Sequence, residues 1–203
     1  METISIHRPK IVVIGSCNTD MVVKANRLPV PGETILGGTF YMNPGGKGAN
    51  QAIAAARLGA EVTFISKIGY DLFGLQALEI YRSEKINTEY IFTDQKSPSG
   101  VALISVDSFG ENSIIVAPGA SRSLSIEDIN KAEEKIKEAD IILMQLEIPI
   151  DTVEYAATIA CKYGKKVILN PAPASSLSNS FLMNVHTILP NRCLLYTSPS
   201  PRD

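Results

Sequence analysis

The chain has 203 residues, 45% of them hydrophobic and 20% charged, with 19 basic residues against 21 acidic ones. That composition supports a sizeable core and argues against disorder. The near-balanced charge gives no footprint for nucleic acid or an anionic membrane, and no run approaches the apolar length of a membrane span. The segment Met1 to Lys10 has charges and a proline but no apolar stretch, so it does not read as a secretory signal. Cys17, Cys161 and Cys193 are odd in number and far apart, and only His7 and His186 could add imidazole. A structural zinc site is therefore not expected; reduced thiols in a cytoplasmic protein are, with the nucleus as an alternative. Neither histidine is expected to act in catalysis.

In chain order, Ile11-Val12-Val13-Ile14 is β-branched and stops at Gly15, as a buried strand should. Val62 to Ser66, Ile141 to Met144, Val167 to Leu169 and a weaker Thr187 to Leu189 read the same way. Helices are predicted between them. Gly48 to Leu58 is alanine-rich and ends before Gly59. Asp71 to Glu84 places Leu72, Leu75, Leu78 and Ile80 as its apolar residues. Ser125 to Glu138 sets Ile126, Ile129 and Ile136 on one face, behind a capping box of Ser125 and Asp128. Asp151 to Lys162 closes at Gly164. Unbroken apolar strands alternating with helices predict an α/β fold, a Rossmann-like parallel sheet sandwiched by helices.

Two β-like stretches break the rhythm: Met21 to Tyr41, and a hairpin of Val101–Ile104 and Ile114–Val116 around Ser108 to Asn112. They predict a small separate sheet standing off the main domain, over about 20–43 and 100–117. The expected organisation is one incomplete domain over 1–191, then a tail over 192–203. With two prolines and no apolar period, that tail reads as foreign sequence or disorder rather than the helix an α/β pattern should deliver next. A sheet ending there would leave an uncovered strand edge and favour poor solubility.

Ligands of open α/β sheets bind beyond the carboxyl ends of the strands. Asn18 and Asp20 follow the first strand, Glu147 follows Met144-Gln145-Leu146, Asn170 follows Leu169, and Asn191 follows Leu189-Pro190. Amides and carboxylates with few cations match sugar hydroxyls better than an anion, although singly such residues also favour turns. The strongest local pattern is Asn43-Pro44-Gly45-Gly46-Lys47-Gly48-Ala49-Asn50-Gln51 at a helix start. Its glycines permit positive φ and close approach of a ligand, and the first helix amides offer donors. A phosphate loop would need Gly-x-x-x-x-Gly-Lys-Ser/Thr, whereas Gly48 follows Lys47 here. A glycine-rich helix start with no ligand is the remaining alternative. The Lys47 side chain either touches ligand or is solvated while its neighbours bind.

Together, Gly15-Ser16-Cys17-Asn18-Thr19-Asp20, Pro31-Gly32-Glu33-Thr34, Gly45 to Ala52, Ala56-Arg57-Leu58-Gly59-Ala60, Met144-Gln145-Leu146-Glu147 and Asn170-Pro171-Ala172-Pro173-Ala174 resemble the ribokinase-type carbohydrate kinase family. That family also holds fructokinases and adenosine kinases. The resemblance covers about Lys10 to Asn191. It implies a sugar site made by Asn18, Thr19, Asp20, Gly46, Lys47, Gly48, Ala49, Asn50 and Glu147, with Asn191 on the nucleotide side. It implies transfer of a phosphoryl group from ATP to the 5-hydroxyl of D-ribose, with Mg2+ and a K+ ion, and it makes the two β-like stretches a lid over the sugar, formed by about 20–43 and 100–117, through which a homodimer is joined. The family's base is the aspartate of a Gly-Ala-Gly-Asp segment, and no Gly-x-Gly-Asp occurs in these 203 residues. Arg192 stands where the family has a glutamate that helps organise magnesium. The expectation is therefore a chain truncated before the C-terminal part, with no catalytic base or metal ligand and no turnover. The alternatives are a non-catalytic sugar-binding or lid-mediated interaction protein, or a fructokinase or nucleoside kinase.

Overall fold

A computed structural model describes residues 8–191. The tail 192–203, Cys193 and His7 lie outside them. Ten strands and six α-helices follow in chain order, with a 3-10 turn at Gly119–Ser123. Strands β1 (Lys10–Ile14), β4 (Glu61–Gly69), β5 (Ile91–Asp94), β8 (Ile141–Met144), β9 (Lys166–Leu169) and β10 (Thr187–Ile188) form one sheet in the order β10-β9-β8-β1-β4-β5. Every pairing in it is parallel. Strands β2 (Asn18–Lys24), β3 (Thr39–Gly45), β6 (Gly100–Val106) and β7 (Asn112–Ala117) form a second sheet in the order β3-β2-β6-β7. The predicted parallel sheet and separate smaller sheet are both present, and β6–β7 is the predicted hairpin. Strand β5 escaped the sequence reading because Ile-Phe-Thr-Asp is short and runs into a polar turn.

Helices α1 (Lys47–Arg57), α2 (Leu72–Ser83), α3 (Ile126–Lys131), α4 (Glu133–Glu138), α5 (Ile150–Lys162) and α6 (Asn179–Leu182) cover the large sheet from two sides. On one side Val12, Ile14, Ile142, Met144, Val167 and Leu169 pack with Ile129, Ile136, Val153, Ala156 and Phe181. On the other, Val13, Val62 and Phe64 pack with Ala49, Ala52, Ala77 and Tyr81. Alternate strand residues thus serve opposite layers, as a sheet buried on both faces requires.

One helix expectation needs correction. Ser125 to Glu138 is not one helix: it breaks at Ala132, where short bonds from Ala132 to Ile129 and from Lys135 to Ala132 tighten the turn. Both halves then lie against α5, with Ile129, Ala132 and Ile136 wholly buried and Ile126 partly exposed. The capping box of Ser125 and Asp128 is present. In α2 the buried stripe is Gly74, Ala77 and Tyr81, while Leu72 and Leu75 are exposed. The helix lies so close to β4 that a Cβ on Gly74 would meet the Gly69 carbonyl at 2.4 Å, so small residues take the inner face.

Buried polar bonds fasten the second sheet to the first. Asp71 caps α2 through Gly74 N and also accepts from Ser99 N at 2.7 Å and Ser99 Oγ at 2.7 Å, at the root of β6. Lys67, on β4, donates to Asp128 at 2.8 Å and to the Ser123 carbonyl at 3.1 Å. Ser123 Oγ donates to Asp94 at 2.5 Å. Burial raises the Asp128 carboxyl, but Lys67 and Ser125 outweigh it and hold the group below its ordinary value. Ser123 and the amides of Lys96 and Ser97 bring Asp94 from 3.8 to about 2. Both groups stabilise the fold when ionised, so their contribution is complete above their unfolded values and disappears as protons bind the folded state. The thermal midpoint should fall as pH drops from 3.8 toward about 2. In Asp94→Asn that fall should be shallower, which calorimetry across the window will read.

Candidate functional site

The chain leaves β3 at Gly45, turns at Gly46 with φ 90°, and starts α1 at Lys47. Positive φ explains Gly46, but contact explains its neighbours. A Cβ on Gly48 would lie 2.6 Å from the Ser16 carbonyl oxygen and 2.7 Å from Gly15 C. A Cβ on Gly45 would fall 2.0 Å from the Asp20 carboxylate. The glycines therefore let the start of α1 rest directly on the turn after β1 and leave room for a carboxylate. The small residues that follow, Ala49, Ala52 and Ala55, carry that close approach into the core.

Glu147 closes the arrangement from beyond β8. Its Oε2 accepts from Ser16 Oγ at 2.5 Å and from the Lys47 amide at 3.0 Å, and its Oε1 accepts from Lys47 Nζ at 2.6 Å. Burial raises the Glu147 carboxyl, yet the donors from Lys47 and Ser16 outweigh it and keep the group below its ordinary value. Asp20 is half-buried beside this cluster. Its carboxyl is raised, first by burial and then by the Glu147 charge, with Lys47 opposing. Asn18 is 7% exposed, and its Oδ1 has no hydrogen-bond partner. That oxygen lies against Gly100, where a Cβ would meet it at 2.2 Å. The result is a rim with two carboxylates, one ammonium and a buried amide.

The structure thus gathers Asn18, Asp20, Gly46, Lys47 and Glu147 where the two sheets meet. The remaining predicted residues are placed differently. Thr19 alternates to the opposite face of β2 and lines a crevice with Phe73 and Ala77 of α2. Ala49 is fully buried in the core, and its amide donates to the Ser16 carbonyl at 2.9 Å. Gly48 is buried against Gly15 and Ser16. The first-turn amides of Lys47 and Ala49 are already engaged, contrary to the expectation that they face a ligand. Asn50 is exposed on α1. Asn191 follows edge strand β10, three strand positions from β1, roughly 14 Å at ordinary strand spacing. A cleft of about 450 Å³ that includes Lys24, Leu36, Tyr41 and Ser108 opens at the distal end of the second sheet and shares no residue with this group.

Several supports carry no signal in their residue type. Ser16 stands out in the sequence only within Gly15 to Asp20. Gln145, wholly buried, donates to Gln51 of α1 at 2.6 Å and leaves its Oε1 without a partner. Ser121 takes the Cys17 amide at 3.3 Å and donates to the Cys17 carbonyl at 3.2 Å, pinning the return from β7. The Cys17 thiol is pushed up to about 11 by burial, against hydrogen bonds from Ser66, Ser121 and Tyr81, so it is a packed thiol rather than a nucleophile. His186 accepts from the Val167 amide, away from the rim.

The family model for pfkB family carbohydrate kinases matches residues 8–193. A ribokinase from Haemophilus influenzae is 46% identical over 184 residues, covering 91% of this chain and 60% of that protein. A deoxyribokinase from Salmonella typhi is 40% identical over 182 residues, covering 89% of this chain and 60% of that protein. The structure of an Arabidopsis thaliana ribokinase complexed with ribose and ATP superposes with a TM-score of 0.81 at 32% identity, covering 93% of this chain and 62% of that one. The chain therefore spans about 60% of the length of these curated relatives.

The contact at Gly48 yields a direct expectation. Gly48→Ala should destabilise the chain by about 1–3 kcal/mol through backbone overlap, against the usual small gain of Ala over Gly in a helix. Urea unfolding will read the sign; a stabilised variant would mean that α1 does not rest on Gly15 and Ser16.

Proposed function

The chain belongs to the pfkB family of carbohydrate kinases, and on that premise we propose that it carries the sugar-binding half of a ribokinase. The reaction of the full-length enzyme is transfer of the γ-phosphoryl group of ATP to the 5-hydroxyl oxygen of D-ribose, giving D-ribose 5-phosphate and ADP. One observation supports this reading above the others: Asp20, Lys47 and Glu147, from three separate elements, converge on a glycine-lined rim. Ionised carboxylates accept from sugar hydroxyls, and the exposed Asn50 amide supplies both donor and acceptor. A neutral polyol meets little penalty beside two carboxylates and one ammonium, whereas an anion would be repelled.

In this proposal the second sheet is a lid over the sugar, formed by about 20–43 and 100–117. Closing it excludes water from the acceptor hydroxyl and limits hydrolysis of ATP. Asn191 serves the nucleotide side. ATP, Mg2+ and K+ belong to the full-length enzyme. The rim itself does not suit magnesium, since Lys47 already neutralises Glu147. Among the described residues no group of three or more His, Cys, Asp or Glu could hold a metal. With no Gly-x-Gly-Asp in the 203 residues, the chain binds sugar without turnover. Val23, Phe40, Met42, Leu103 and Ile115 are exposed apolar residues on the sheet face opposite Asp20, and they support a homodimer through the lid.

Calorimetric titration of the 203-residue chain with D-ribose should give saturable binding that weakens about 10- to 100-fold in Asp20→Ala, the value of a hydrogen bond to a charged group. Fructose and adenosine should bind less well than ribose, and 2-deoxy-D-ribose will show whether the 2-hydroxyl is read. Absence of ribose binding, or steady formation of ribose 5-phosphate, would contradict the proposal. In sedimentation, Phe40→Glu with Leu103→Asp should convert a dimer to a monomer.

A further inference from the structure

Ser16 joins Glu147 to the start of α1, and the sugar reading assigns it no role. It is 1% exposed, at the turn between β1 and β2. Its carbonyl accepts the Ala49 amide at 2.9 Å. Its hydroxyl donates to Glu147 Oε2 at 2.5 Å, and the same oxygen accepts the Lys47 amide at 3.0 Å. Backbone and side chain of one residue therefore hold both the start of α1 and the carboxylate beyond β8. A second feature gives this a functional direction. Oε2 already takes two donors, whereas Oε1 takes one, the ammonium of Lys47 at 2.6 Å, on a side chain 39% exposed.

We propose that Ser16 is a positioning residue: its hydroxyl fixes the rotation of the Glu147 carboxylate so that Oε2 is structural and Oε1 alone meets the sugar hydroxyl. This rests on the sugar-site reading for its ligand, but not for the hydroxyl–carboxylate link itself. A carboxylate free to rotate would offer either oxygen and would lose orientational preference on binding. Two carboxylate donors, the serine hydroxyl and a helix amide, suppress that freedom. The charged groups facing Glu147 are Lys47 from α1 and Asp20 from β2. Both remain when Ser16 is changed, so the serine effect can be separated from theirs.

Two readouts on the 203-residue chain test the assignment. The first needs no sugar: carboxyl NMR titration of Glu147, with its resonance assigned through Glu147→Gln. Ser16→Ala should move the Glu147 midpoint upward, because a donor to the ionised form is lost. An unchanged midpoint overturns the link. The second is D-ribose affinity. Ser16→Ala should weaken it about 10-fold at neutral pH, and the loss should deepen at a higher pH than in the unaltered chain as acid is added. In the Glu147→Gln background the same substitution should change affinity little; an equal loss in both backgrounds shows that Ser16 acts independently of Glu147 and overturns the proposal. If Ser16→Ala does not fold, Ser16→Cys keeps a similar volume with only a weak donor and carries the same expectations. A Glu147 midpoint that responds to Ser16 in a chain that binds no ribose would support the link and overturn the sugar reading instead.

Discussion

A carboxylate beyond β8 and the first amide of α1, 100 residues apart in sequence, share a hydrogen bond at 3.0 Å. Much of the structure follows from keeping that contact short. The Glu147 side chain is only 15% exposed, so it cannot rely on water and must be met by protein donors. Lys47 and Ser16 supply them, which requires α1 to start directly against the turn after β1. That approach in turn excludes a side chain at Gly48, where any Cβ would lie within 2.7 Å of backbone. Alanines continue the close packing against Val13 and Phe64. The exposed rim and the buried layer are thus set by one separation between helix and strand.

The second sheet depends on the same junction. Strand β2 starts at Asn18, immediately after the turn that supports α1, and is buried at Asn18 and Thr19 but exposed by Val23 and Lys24. Strand β7 is exposed along its whole length. The roots are the ordered part: Ser99 bonded to Asp71, Ser121 bridging Cys17, and Gly100 pressed against Asn18. Asp20 sits next to those roots, so the bonds that hold the sheet to the parallel layer also place one carboxylate of the rim.

Much of this was legible in the chain. Apolar β-branched runs between glycines gave five of the six parallel strands, since a strand buried on both faces leaves no other pattern. The two β-like stretches without helical period, one of them a hairpin around Ser108 to Asn112, gave the second sheet. What could not be read was distance. Leu72 and Leu75 are apolar residues of α2, but the helix lies too near β4 for leucines on its inner face, and Gly74, Ala77 and Tyr81 take that face. The break at Ala132 has no glycine or proline to announce it. At the rim, glycine spacing pointed to the right segment for an incomplete reason: conformational freedom applies at Gly46, while contact with Ser16 and Asp20 governs Gly48 and Gly45. Ser16, a small hydroxyl beside residues with more obvious chemistry, acquires meaning only when Glu147 arrives from the far side of the chain.

Lys47 shows how the two kinds of reading meet. Sequence left it either touching a ligand or dissolved in water. In the fold its ammonium lies on Glu147 Oε1 and its own amide on Oε2, so side chain and backbone of one residue grip both oxygens of one carboxylate. The two grips differ in kind. The amide belongs to a helix and cannot leave; the ammonium ends a flexible stem, is 39% exposed and can be rehydrated at small cost. A hydroxyl approaching Oε1 therefore displaces or shares only the replaceable partner, while the carboxylate keeps its charge and direction. A neutral hydroxyl that shares Oε1 leaves the Lys47–Glu147 pair in place and adds no charge of its own. An anion would draw Lys47 away while facing Asp20 and Glu147 together, so the charges of these three residues favour a neutral group over a phosphate at this position.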